Sequence, residues 1–207
     1  MKAINKGIFT KKEGMTQIFN EKGDLIPVTV LSVLENIVVQ KKTKDKEGYD
    51  ALKIGYNEMK ESKAIKPLVG MHKAVNRVFK NYQELRLANL DLANIGEAIP
   101  LSQFSENEIV NAIGTSKGRG FTGTVKRYNF TIGPISHGSK HHRRKGTSGA
   151  GTGQAKVFRG QKTAGHHGNA QITVKNIQVF KIVADKNIIL VRGAVPGPNG
   201  SLVKLFN

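Results

Sequence analysis

Apolar residues early in the chain recur at every second position. In Ala51–Tyr56, Leu52, Ile54 and Tyr56 alternate with Lys53 and Gly55, which gives a strand one buried face and one wet face. The β-branched run Leu25–Leu34 predicts another strand, and Pro27, which has no N–H for a ladder, confines its start to an edge or a bulge. Gly7–Phe19 reads as two strands about a turn at Gly14. Glu21–Asp24 is a second turn signal, Asn36–Gln40 a further strand, and Lys41–Gly48 a charged hairpin loop. Near Pro67 the period changes. Val75, Val78, Phe79 and Tyr82 recur at spacings of three and four, which predicts about ten residues of helix. Leu85 and Leu87 then alternate briefly, so residues 60–100 should form a small helix-containing excursion.

Strand character returns late in the chain. Gln171–Ala184 is β-rich, Asp185–Asn187 is a turn, Ile188–Val191 is a buried strand, and the turn Pro196–Gly200 precedes a last strand in "LVKLF". Many short strands separated by turns predict a mainly β fold, a closed or partly closed barrel with strands from both ends of the sequence. The expected division is residues 1–125 for the first part of the barrel and its excursion, 126–168 for an irregular extension, and 169–207 for the strands that complete the barrel.

Charge changes this picture. The 207 residues contain 33 Lys or Arg and 15 Asp or Glu, a net charge of +18. Fourteen of the acids precede residue 109, and the next after Glu108 is Asp185, so residues 109–184 hold thirteen Lys or Arg and no carboxylate. A run of a few cations is an ordinary solvated face. Seventy-six residues without an acid leave self-repulsion unrelieved unless an anion binds. A membrane surface would call for a basic amphipathic helix, which this segment is too Gly-rich to form. Thirteen of the 23 Gly fall between Gly114 and Gly168. Such a segment cannot build a core and is expected to order on its partner. A mere linker would not need the eleven Lys or Arg between Lys117 and Lys162. The partner expected is therefore a nucleic acid.

Other chemistry is thinly represented. The chain has no Cys, which excludes disulfides and thiolate metal sites. It has no apolar run long enough for a membrane span and no apolar signal core near Met1, which fits a cytoplasmic chain. "GAGTGQ" (Gly149–Gln154) has neither the preceding strand nor the following helix of a dinucleotide-binding turn, and "GQKTAGHH" (Gly160–His167) lacks the ending of a P-loop. Five of the six His lie in the basic segment. Without Cys or carboxylate beside them, and with Arg143, Arg144 and Lys145 adjacent, they suit phosphate, ribose or base contacts better than a metal. No residue stands in a known nucleophile motif. Phe121, Tyr128, Phe130 and Phe158, interleaved with cations, suit base stacking or anchor the root of the extension. Lys11, Lys12, Lys41 and Lys42 either add peripheral contacts or are solvated.

The stretch "FSENEIVNAIGTSKGRGFTGTVKR" (Phe104–Arg127) resembles the signature of the universal large-subunit ribosomal protein L-three family in its bacterial form. Its elements are Phe104, Asn111, Gly114, Ser116, Gly118, Arg119, Gly120, Gly123 and Arg127. The resemblance continues through Ser136–Arg143, Gly153–Gly168 and Leu190–Gly200. It implies a six-stranded β-barrel of the translation-protein type. It also implies a loop extension that enters large-subunit rRNA near the peptidyl transferase centre, and an early place in subunit assembly. Implied partners are the large-subunit proteins L-fourteen and L-nineteen, and a glutamine methyltransferase acting at Gln154. The resemblance implies a Trp in this region for the archaeal and eukaryotic forms, so the absence of Trp suits the bacterial or organellar type.

The expected function is a structural, non-enzymatic ribosomal constituent without cofactor or metal. The expected RNA-binding residues are Lys117, Arg119, Lys126, Arg127, His137, Lys140, His141, His142, Arg143, Arg144, Lys145, Gln154, Lys156, Arg159, Lys162, His166 and His167. Two other classes stand beside it: an RNA-modifying enzyme with a basic substrate arm, and a nucleoid protein that binds DNA without sequence preference.

Overall fold

A computed structural model describes residues 4–207 apart from 73, 88, 89, 91, 92, 152 and 154. The chain divides into two compact units, 1–115 with 171–207, and 116–170. The first contains β1 (Gly7–Phe19), β2 (Leu25–Val33), β3 (Ile37–Lys42), α1 (Lys44–Glu47), β4 (Ala51–Met59), α2 (Lys66–Met71), β5 (Val78–Leu85) and β6 (Ile109–Thr115). The second contains β7 (Phe121–Thr122), α3 (Thr124–Tyr128) and β8 (Gly165–His166). β9 (Gln171–Val183), β10 (Ile188–Arg192) and β11 (Leu202–Phe206) return to the first.

Six antiparallel strands close a barrel in the order β1–β11–β6–β9–β10–β2. Closure removes the unpaired edges that an open sheet would expose. Alternate side chains fill the interior: Val110 and Ala112, Ile177 and Val179, Ile189 and Val191, Val203 and Leu205, with Ile8 and Leu31. Pro27 lies one residue past the β10 pairing, which ends at Arg192 opposite Val28, and its carbonyl accepts a hydrogen bond from Gly193 N at 2.9 Å. Its missing N–H thus deprives no ladder.

β1 serves two cores. Ile8 faces the barrel interior, while Phe9 packs on the opposite side with Leu52, Ile54, Tyr56 and Leu85; both are fully buried. The Phe9 ring stacks on Tyr56 at 5.3 Å. Asn36 fixes this junction. It is buried, and its amide accepts from Phe9 N at 2.9 Å and donates to Phe9 O at 3.0 Å, imitating a paired strand where β2 stops.

Three sequence expectations need correction. Gly7–Phe19 is one strand, not two. Its turn is at Glu21–Asp24, and Gly14 marks a register shift after Lys12. β2 is long enough to pair with both halves, so the extra residue becomes a bulge that bends the strand. Secondly, β3 and β4 do not join the barrel; with β5 they form a separate sheet in the order β3–β4–β5.

Thirdly, the helix expected over Val75–Tyr82 is a turn followed by a strand. Asn76 adopts a left-handed conformation (φ 54°), and β5 pairs with β4 from Val78 opposite Met59 to Leu85 opposite Leu52. Val78 and Phe79 are buried, but Tyr82 is exposed. The three-four spacing arose from a turn residue and a strand that happen to be adjacent. The helix lies earlier, at α2, where Pro67 occupies the first turn without losing a hydrogen bond. Pairing across chain segments outweighed a weak local period.

The Phe79 ring rests over Gly55, where a Cβ would stand 2.3 Å from the ring. Gly55→Ala should therefore destabilise the protein by about 1–3 kcal/mol through overpacking, measured by denaturant unfolding. Unchanged stability would refute this packing.

Candidate nucleic-acid interface

The chain leaves β6 at Thr115 and rejoins β9 at Gln171, two residues paired across the sheet. Residues 116–170 form the intervening unit, and its neck is built from backbone. Ser116 N donates to Ala170 O at 2.9 Å and Asn169 N to Ser116 O at 3.2 Å. Arg119 N donates to His167 O and His167 N to Gly120 O, both at 2.9 Å. β7 and β8 then pair Phe121 with His166 and Thr122 with Gly165. Gly168 makes the neck possible. Its φ is +75°, and a Cβ there would stand 2.1 Å from Lys117 O.

Beyond the neck, α3 ends at Asn129 in the left-handed conformation (φ 58°) and presents Arg127 and Tyr128. Arg127 Nη1 donates to Thr163 O at 2.8 Å, with its guanidinium 5.1 Å above the Tyr128 ring. Lys162 Nζ lies 5.7 Å from the same ring, and Phe130 lies 6.3 Å away. Tyr128 thus gathers two cations that would otherwise repel, at a gain of about 0.5–1 kcal/mol each for partly exposed pairs. Gly165 leaves room for this knot, since a Cβ there would stand 2.6 Å from Arg127 Nη1.

Farther out the chain doubles back. Gly133 N donates to His142 O at 2.9 Å, and His142 Nδ1 donates to Pro134 O at 3.1 Å. The bend between them includes His137 (φ 58°) and Gly138 (φ 73°). Contacts past this point are short-range, such as Thr147 Oγ1 to Gly149 O at 2.8 Å.

No apolar side chain is buried among the described residues of 116–170; Thr122 and Thr124 alone are buried. Every described ion pair involves residues of the other unit, as in Lys6–Glu108 at 3.0 Å and Lys42–Glu84 at 2.7 Å. The two fold units therefore differ in kind. One buries apolar surface and pairs its charges. The other does neither.

The sequence-expected residues fall in four places. Lys117, Arg119, His166 and His167 stand in the neck, and Lys126 and Arg127 on α3. His137, Lys140, His141, His142, Arg143, Arg144 and Lys145 form the doubled-back segment, and Lys156, Arg159 and Lys162 the return limb. Arg127, Lys145 and His167 are half-buried and the other described members exposed. Gln154 lies outside the described residues. Among the described residues no three of His, Cys, Asp or Glu group closely enough to hold a metal ion.

Of the four aromatics, Phe121 is 83% exposed and Phe158 63%, whereas Tyr128 and Phe130 contact each other. Sequence reasoning passed over Ile135, which is 81% exposed; its signal was an apolar residue in a stretch with no apolar period. The rim cations also divide. Lys12 is buried and donates to Val195 O at 2.8 Å and Gly197 O at 3.1 Å, so it is neither peripheral nor solvated. Lys42 bonds Glu84 and Tyr49, and these bonds hold its amine above the usual lysine range and the Glu84 carboxyl below its own.

A family model described as "Ribosomal protein L3" matches residues 91–187. The large ribosomal subunit protein uL3 of Pelotomaculum thermopropionicum is 46% identical over 199 residues, spanning 96% of this chain and 94% of its own. That of Halalkalibacterium halodurans is 44% identical over 97% of this chain and 96% of its own. That of a Geobacillus species is 41% identical over 97% and 95%.

The chain belongs to the ribosomal protein L3 family.

The stretch matched by the L3 family model runs from before β6 to the turn after β9, so it encloses the whole of 116–170. Two of the four signature glycines have visible tasks. Gly114 approaches Pro196, where a Cβ would stand 3.1 Å from the Pro196 carbonyl oxygen, and Gly120 has φ +64°. No described helix is long and apolar enough to cross a membrane.

Gly168→Ala should disrupt the neck. Limited proteolysis within 116–170 should speed up while thermal melting of the barrel core stays unchanged. Unaltered cleavage would contradict the assigned role of Gly168.

Proposed function

We propose that this chain is a structural constituent of the large ribosomal subunit that binds large-subunit rRNA directly through the extension at 126–168 together with Lys117 and Arg119 at its root. The observation that carries the reading is the combination in 116–170 of eleven Lys or Arg, no acid, no ion pair among the described residues and no buried apolar side chain. A polyphosphate surface supplies what is missing. Each phosphate met by a cation releases condensed counterions, and their entropy drives association. Gly residues let the backbone follow crevices between RNA helices, so recognition is of RNA shape. Exposed Phe121 and Phe158 offer faces to unpaired bases.

The resemblance extends the reading. The chain acts early in subunit assembly, braces RNA around the peptidyl transferase centre, and neighbours the large-subunit proteins L-fourteen and L-nineteen. Gln154 is the residue proposed for methylation by a glutamine methyltransferase. The protein performs no catalysis, needs no cofactor and works in cytoplasmic ribosomes. The contact set is the one named from sequence, with Arg127 also holding the return limb at Thr163.

Arg143, Arg144 and Lys145 have no carboxylate partner among the described residues. Replacing all three with Ala should lower affinity for large-subunit rRNA by about tenfold or more and reduce incorporation into large subunits. Barrel melting should not change. Undiminished incorporation would remove these residues from the contact set.

A further inference from the structure

The turn between β10 and β11 holds the one Asn–Gly pair of the sequence, Asn199–Gly200. A glycine after an asparagine brings no side chain to shield its backbone nitrogen, and its backbone rotates freely. That nitrogen can then reach the carbonyl carbon Cγ of the asparagine side chain and displace its amide nitrogen. Asn199 and Gly200 are both exposed, so water has access to the group that would react.

What opposes the reaction is the way the turn is held. Gly200 N donates to Lys12 O at 2.6 Å, and Lys12 N donates to Ser201 O at 2.9 Å. The Lys12 side chain is buried, and its Nζ donates to Val195 O at 2.8 Å and to Gly197 O at 3.1 Å. A single residue of β1 therefore grips the turn on both sides of Asn199. Ser201 closes the loop on itself, its Oγ donating to Pro198 O at 2.7 Å. Pro196 and Pro198 have fixed φ. Gly197 has φ +102°, and a Cβ there would stand 2.4 Å from Ser201 Oγ. Bringing Gly200 N onto Asn199 Cγ requires the backbone between them to rotate, and that rotation breaks the bond from Gly200 N to Lys12 O. The nucleophile is thus occupied and the backbone that must move is clamped.

We propose that Asn199 is a site of spontaneous deamidation that Lys12 keeps closed in the folded protein and that opens when the turn is released from β1. The Gly200 nitrogen gives its proton to solvent and bonds to Asn199 Cγ. The Cγ–Nδ2 bond breaks, Nδ2 takes a proton back from solvent, and ammonia leaves. One water then opens the succinimide at either carbonyl, giving aspartate or isoaspartate at position 199. Nothing is oxidised or reduced. Either product puts a carboxylate where a neutral amide stood, lowering the net charge of +18 by one. Isoaspartate also adds a methylene to the backbone, which puts Gly200 N out of register with Lys12 O. Release of the turn is thereby recorded irreversibly. The site lies in the barrel unit and does not depend on the rRNA reading.

The test incubates the full-length protein in mildly alkaline buffer, native and unfolded in urea, and follows Asn199 by mass spectrometry of the tryptic peptide Gly193–Lys204. Native protein should convert more slowly than the unfolded chain by about tenfold or more, because reaction must wait for local opening. Lys12→Met keeps an unbranched side chain of similar length but cannot donate. It should speed native conversion by about tenfold while the circular dichroism spectrum stays unchanged. Hydrogen exchange at the Gly200 amide of the unaltered protein is read in parallel and should be slow, which keeps the proposal open to refutation even where Lys12→Met does not fold. Equal conversion in native and unfolded protein overturns the proposal, as does unprotected exchange at Gly200. So does a folded Lys12→Met protein that converts no faster than the unaltered one.

Discussion

Like charges brought together in a protein repel unless something of opposite sign stands between them. In 116–170 the segment itself cannot do so, because the sequence from Ile109 to Ala184 contains no carboxylate, and no carboxylate pairs with it among the described residues. The rest of the molecule answers to that constraint. The unit is held by devices that need no acid: a backbone-paired neck, Gly168 and Gly165 at close approaches, and Tyr128 shared by Arg127 and Lys162. Each fixes geometry while leaving most of the cationic side chains directed to solvent. The charge is thereby preserved for an external anion.

The other unit supplies what the extension lacks. A closed barrel has no free edges, and β1 extends its core outward by presenting Ile8 to one side and Phe9 to the other. The second sheet packs on that outer side, with Asn36 joining the two at the Phe9 backbone. The acids are concentrated here, where they pair with Lys6, Lys42 and Arg77. The sequence thus separates two kinds of stability. The barrel unit is held by apolar burial and paired charge; the extension by backbone geometry and, on our reading, by RNA.

Much of this was legible before any coordinates. Alternation in Leu52, Ile54 and Tyr56 gave a strand, because side chains of a half-buried strand must alternate. The acid-free span and its glycines predicted an irregular extension at 126–168, and the structure sets 116–170 apart as a compact unit. What failed did so for identifiable reasons. Val75, Val78, Phe79 and Tyr82 imitate a helix because a turn residue and a strand fall by chance at helical spacing, and the pairing of β5 with β4 is a long-range fact. Gly14 carries a turn residue's signal yet sits in a bulge, since only the length of β2 decides between them. Lys12 reads as surface, but its amine reaches the Val195 and Gly197 carbonyls nearly two hundred positions away. Asn36 was invisible for the same cause. A polar residue's burial depends on partners that sequence order does not reveal.

The central claim is that the extension binds by replacing counterions on phosphates. Its most direct test is the salt dependence of binding between the intact protein and large-subunit rRNA, plotted as the logarithm of affinity against the logarithm of salt concentration. With roughly ten phosphates engaged, the slope should be about −7 to −9. A slope near zero would show that binding does not depend on the charge of the extension, and would contradict the account.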